Sequence, residues 1–86
     1  MTEPLDLPPL TPPVKRSITI DGHATSVSLE DAFWRGLGAL ARARGTTPAR
    51  LIADIDHGRP ADVGLATAIR LVVLAQAQLA RGPDGD

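Results

Sequence analysis

Residues 25–51 read TSVSLEDAFWRGLGALARARGTTPARL. Thr25, Val27 and Leu29 alternate with Ser26 and Ser28, the period of two that marks a strand with one buried face. The period then lengthens. Phe33, Leu37, Leu40 and Ala41 fall at i, i+4, i+7 and i+8, on one face of a helix from about Glu30 to Arg44. Glu30 and Asp31 in its first turn, and Arg42 and Arg44 in its last, suit the helix dipole. Ser28 and Asp31 have capping-box spacing, with Asp in place of the usual Glu or Gln. Gly45 stops this helix. Thr47-Pro48 starts another, since a hydroxyl suits the N-cap and proline the first helical position. Leu51, Ile52 and Ile55 form the apolar side of the second helix, Asp54 and Asp56 its exposed side, and Gly58 and Pro60 end it.

Upstream, residues 14–20 (VKRSITI) alternate in the same way and lead into Asp21-Gly22. That dipeptide is a strong two-residue hairpin signal, because a type I′ turn needs positive φ at both positions. Folding there pairs Ile20 with His23, Ile18 with Thr25 and Arg16 with Val27. Val14, Ile18, Ile20, Thr25, Val27 and Leu29 then share one face. Lys15, Ser17, Thr19, Ala24, Ser26 and Ser28 share the other. Residues 1–13 contain five prolines, which excludes a helix or central strand and predicts a disordered or polyproline-like tail.

Downstream, residues 61–64 connect to a third helix over about 65–80, with Leu65, Ile69, Val72, Val73 and Leu79 apolar. Arg70 is its one charge before Arg81, and so few charges imply burial on more than one side, against a partner subunit or across the bundle. Residues 82–86 (GPDGD) read as a frayed tail. The organisation is therefore a tail (1–13), one domain (14–81) and a second tail (82–86).

Gly36 and Gly38 lie inside the first helix, where each costs about 1 kcal/mol relative to Ala. Close approach of another backbone, as at a dimer interface, accounts for them. Phe33 and Trp34 are adjacent and cannot point the same way, so one belongs to the core and the other to an edge or subunit contact. Phe33 shares its face with Leu37 and Leu40; Trp34 shares its own with Gly38 and Ala41.

A chain of 86 residues is one domain at most and buries little core alone. It has no cysteine, so neither disulfides nor thiolate sites can support it. His23 and His57 are isolated and make no metal site. Oligomerisation is the remaining support. No secretory pattern or membrane-length apolar run is visible, so the cytoplasm is the expected location. The Ala-, Arg- and Gly-heavy composition suits a GC-rich bacterial genome. Net charge is −1 overall, but residues 14–81 hold nine basic and six acidic side chains, a balance of +3 that permits phosphate contact.

The order of strand, helix, Gly turn and helix resembles the ribbon-helix-helix family. Leu29 at the strand end, the Leu37/Leu40 pair, Gly45 and the Leu51-Ile52 pair carry the likeness. The resemblance implies a mostly α fold with a short β-ribbon, here β-β-α-α-α, as an intertwined homodimer without cofactor. It implies a dimer core of Val27, Leu29, Phe33, Leu37, Leu40, Leu51 and Ile52. It further implies double-stranded DNA as partner and a role in transcription regulation. Alternate strand residues would read base edges in the major groove, which places Ala24, Ser26 and Ser28 at the bases. The start of the second helix would hold a phosphate with its N–H groups, through Thr47, Ala49 and Arg50, with Lys15 and Arg16 gripping backbone beside the ribbon. Pro48 removes one donor from that clamp. Two serines and an alanine are sparse readers. The alternative is therefore a protein-interaction module, an adaptor or inhibitor, using helix 65–80 or the proline-rich tail. No phosphate loop, HExxH pattern or nucleophilic cysteine points to an enzyme. Asp54 and His57, one helical turn apart, could bring a carboxylate to an imidazole, but a solvated helix end is the plainer reading.

Overall fold

Asp21 and Gly22 adopt φ of 53° and 80°, the left-handed values of a type I′ turn, and reverse the chain between two strands. The computed structural model describes residues 4–80, so the first three residues and the expected tail at 82–86 lie outside it. Strand β1 spans Val14–Ile20 and β2 spans His23–Leu29. They pair antiparallel in the expected register, Ile20 opposite His23, Ile18 opposite Thr25 and Arg16 opposite Val27. Three helices follow: α1 (Asp31–Ala43), α2 (Pro48–Gly58) and α3 (Leu65–Ala80). Residues 4–13 have no helix or strand, are exposed, and share a shallow cleft with the start of α1.

One face of the hairpin closes over the helices. Ile20, Val27 and Leu29 from the strands meet Trp34, Leu37 and Ala41 from α1, Leu51 and Ile52 from α2, and Ile69 from α3. Leu29, Leu37, Ile52 and Ile69 are fully buried. Burying an aliphatic side chain of this kind stabilises by roughly 1.5–3 kcal/mol, so these four anchor the fold. Of the seven residues expected at a dimer core, Val27, Leu29, Leu37, Leu51 and Ile52 are therefore buried inside a single chain. Phe33 and Leu40 are half-buried and packed on its flank.

Trp34, not Phe33, takes the core position of the aromatic pair. Its indole Nε1 donates to the Val14 carbonyl at 2.9 Å, so its one polar atom is satisfied while its ring is buried. At Gly36 the close neighbour is a side chain of the same chain and not a second backbone. A Cβ there would stand 2.7 Å from Val73 Cγ1 of α3. Gly38 has no such neighbour, and nothing in the structure explains it.

Helix ends differ in one respect from the sequence pattern. The N-cap of α1 is Glu30 with no side-chain capping bond, because Ser28 belongs to β2. Thr47 caps α2 as expected, its hydroxyl accepting from the Arg50 N–H at 3.2 Å. Along α3, Ala68 and Ile69 are buried, Leu65, Val72 and Val73 are half-buried, and Leu79 is exposed. Leu79 lies in the last turn, beyond the reach of the residues that pack on Ile69.

Candidate nucleic-acid interface

Alternation along the two strands leaves the opposite face of the hairpin bare. Lys15, Ser17 and Thr19 of β1 and Ala24, Ser26 and Ser28 of β2 are all exposed and point away from the core. Ser17 stands opposite Ser26 at the centre, with Thr19 opposite Ala24 and Lys15 opposite Ser28 on either side. This face offers four hydroxyls and one ammonium and no carboxylate. Hydroxyls both donate and accept, so they can meet any base edge; the ammonium adds attraction for phosphate or for guanine.

The hairpin is held rigidly from below at three places. Near its open end, Trp34 bonds the Val14 carbonyl, and the Arg16 guanidinium lies 4.8 Å from the centre of the Trp34 ring. Such stacking stabilises by about 0.5–1 kcal/mol at an exposed site. At the turn, His57 Nε2 of α2 donates to Asp21 Oδ2 at 2.7 Å. The hydrogen bond and the Asp21 charge raise the imidazole pKa above its ordinary value of 6.5. At the end of β2, Arg70 Nε donates to Glu30 Oε1 at 2.9 Å and Nη2 to Oε2 at 3.2 Å. Nη2 also donates to the Ser28 carbonyl at 3.3 Å. The Arg70 hydrogen bonds hold the Glu30 carboxyl below its usual range, followed by Glu30's own backbone N–H.

These contacts sort the residues expected to meet DNA. Ala24, Ser26 and Ser28 stand on the bare face with Lys15. Arg16 stands on the other face, over Trp34. Thr47, Ala49 and Arg50 are exposed at the start of α2. The Arg50 N–H is already taken by the Thr47 hydroxyl, and its side chain lies 3.7 Å from Asp54. The open donors of that first turn are thus the Thr47 and Ala49 N–H groups. The C-terminal end of α2 sits at the hairpin turn through His57, so the clamp lies a helix length away, about 16 Å at 1.5 Å per residue. Ribbon and clamp are therefore two separate patches.

The imidazole–carboxylate pairing that the spacing of Asp54 and His57 permits does not form. His57 turns to Asp21, and Asp54 to Arg50, because the hairpin turn reaches the end of α2. Asp56, expected on the exposed side, is half-buried and bonds Arg59 Nε at 2.8 Å. Arg59 in turn donates to the Val63 carbonyl at 2.6 Å and closes the α2–α3 connector. Among the described residues no cluster of three or more His, Cys, Asp or Glu side chains could hold a metal, and no helix is long and apolar enough to cross a membrane.

Ser17 and Thr19, placed on this face by the alternation of residues 14–20 but not among the expected contact residues, are exposed there as fully as Ser26 and Ser28. Arg42 and Arg44 are exposed beside the Gly45 turn and, among the described residues, form no ion pair. Together with Arg50 they place positive charge on both sides of the start of α2.

A strand hairpin that leads through two short helices, with a Gly turn between them and a hydroxyl cap on the second, defines a ribbon-helix-helix domain. The family model for that domain matches residues 13–77, and the chain belongs to this family. No curated protein and no solved structure matches it. Domains of this family usually form dimers and bind DNA, and they are typically regulatory and not enzymatic.

Proposed function

We propose that this protein is a small DNA-binding transcription regulator of the bacterial cytoplasm that binds double-stranded DNA as a homodimer. The bare face of the hairpin carries this reading: a rigid, carboxylate-free strip of Lys15, Ser17, Thr19, Ala24, Ser26 and Ser28, turned away from every helix. Side chains of Ala24, Ser26 and Ser28 face the base edges. Lys15 and the Thr47–Arg50 turn, with its unpaired Thr47 and Ala49 N–H groups, take phosphates on either side. Arg16, stacked on Trp34, serves the fold first and touches backbone only from the ribbon's rim.

Fluorescence anisotropy with fragmented genomic DNA tests this. Binding at 50 mM salt should weaken at least about tenfold by 200 mM, because neutralised phosphates release counterions. Arg50→Ala should weaken binding evenly across sequences, while Ser26→Ala should change which sequences are preferred. No association at low salt would overturn the reading.

A second reading has its own observation. Leu71, Leu74 and Leu79 on α3 are 58%, 50% and 71% exposed, an apolar strip that suits a protein partner. Changing Leu71 and Leu74 to Glu should then abolish a protein contact and leave DNA affinity unaltered.

A further inference from the structure

Residues 4–13 read PLDLPPLTPP and form an arm outside the packed domain. Every residue from Leu7 to Pro13 except Leu10 is a proline or precedes one, and both positions favour the extended polyproline conformation. That helix turns once in three residues. Pro4, Leu7, Leu10 and Pro13 therefore share one side of the arm, an unbroken apolar edge, yet Leu7 and Leu10 are exposed. An arm stiffened by proline loses little entropy when it docks.

A matching track runs along α1. Helix α3 lies beside α1 in the same direction: Arg70 stands over Phe33, Val73 lies against Gly36, and Ala77 and Ala80 share an open groove of about 290 Å³ with Leu40 and Ala43. Gln76 is the one hydrogen-bonding side chain in that groove. The arm has entered its upstream end, where Pro8, Pro9, Leu10 and Thr11 share a cleft with Ala32 and Phe33. From Leu10 at Phe33, a polyproline rise of about 3.1 Å per residue carries Leu7 about 9 Å, Asp6 about 12 Å and Leu5 about 15 Å onward. A helical rise of about 1.5 Å per residue places Ala39 about 9 Å, Arg42 about 13 Å and Ala43 about 15 Å beyond Phe33. Asp6 thus comes level with Arg42. Both are exposed, and neither forms an ion pair among the described residues.

We propose that the groove between α1 and α3 is the docking surface for the chain's own N-terminal arm. Leu7 and Leu10 lie down against the two helices, and the Asp6 carboxylate meets the Arg42 guanidinium at the groove's rim. Apolar edge, length and charge all match the same track. The arm then straps α1 to α3 and covers apolar surface that the packed domain leaves open. Docking needs no DNA.

The experiment compares disulfide formation in two full-length double variants, Leu5→Cys/Ala43→Cys and Leu5→Cys/Ser17→Cys, under air oxidation, read on non-reducing gels. Leu5 lies off the arm's apolar edge, and all three positions are exposed, so the changes spare both the contact and the fold. Ser17 stands three residues from Val14 at the arm's root, so an arm that moved freely would reach it at least as readily as Ala43. The Ala43 pair should close within one chain at least about fivefold faster, because docking raises the local concentration of the two thiols. Adding Leu7→Ser and Leu10→Ser should erase that preference. Asp6→Lys should slow closure about 1.5- to fivefold, the worth of an exposed ion pair, and Arg42→Glu in the same chain should restore it. Equal rates at Ala43 and Ser17 would overturn the proposal. A disulfide at Ala43 that joins two chains would overturn it as well, by giving the groove to a second copy's arm.

Discussion

The two faces of the hairpin share the same fourteen residues of backbone and have opposite fates. The inner face carries Ile18, Ile20, Thr25, Val27 and Leu29 and is pinned by Trp34, Arg16, His57 and Arg70. The outer face carries hydroxyls, one alanine and one lysine, all of them exposed. Strand alternation alone separates the two roles. Stability resides in the buried side chains of the inner face, and the proposed recognition falls to exposed side chains of the outer face. Substitutions should therefore divide cleanly between the faces.

The largest effect belongs beneath the inner face. Trp34→Ala should destabilise by about 3–5 kcal/mol, since it opens a cavity under the ribbon and strands the Arg16 guanidinium. Urea unfolding measures it; a loss below about 1 kcal/mol would show that the ribbon does not rest on this ring. Next comes the contact of α1 with α3. Gly36→Ala gains about 1 kcal/mol of helix propensity but drives a Cβ into Val73 Cγ1, which costs about 1–3 kcal/mol. The net effect should be a destabilisation of about 1 kcal/mol. In a Val73→Ala background the clash is gone and the same change should stabilise. A double-mutant cycle reads that reversal of sign.

Smaller still is the His57–Asp21 tie. The folded-state pKa of His57 is raised, so its contribution is fully present below the ordinary imidazole value of 6.5 and is lost as pH rises through the raised value. Melting temperature should fall gently from about pH 6 to pH 8 in the parent protein. Asp21→Asn removes the charge yet tolerates the positive φ of that position, so its profile should be flatter over the same range. An unchanged slope would assign the pH dependence to another group. Smallest of all are the outer-face changes: Ser17→Ala and Ser26→Ala should alter stability by less than about 0.5 kcal/mol.

Much of this division was legible in the sequence. Alternation in residues 14–20 and 23–29, with Asp21-Gly22 between them, specified the register and both faces. Thr47-Pro48 marked the start of α2 because capping is local chemistry. Long-range partners were hidden. Periodicity places Phe33 and Trp34 on neighbouring faces equally well, and only the arrival of β1 at Trp34 selects the tryptophan for the core. Gly36 signalled a close approach without naming α3 as its source. His57 has carboxylates one and three residues before it, and only the fold brings Asp21 from 36 positions away. The expected dimer core followed from the family resemblance, not from the pattern of these residues. Once β1 and α3 are in place, the same leucines are buried in one chain.

The chain has no cysteine, so single cysteines at Ser17 and Ser26 report on the outer face without interference. The alkylation rate of Ser17→Cys and of Ser26→Cys, with and without fragmented genomic DNA at low salt, tests the central claim most directly. Both cysteines should alkylate rapidly in the free protein, and DNA should slow both to a similar degree. Rates unchanged by DNA at both positions would contradict it.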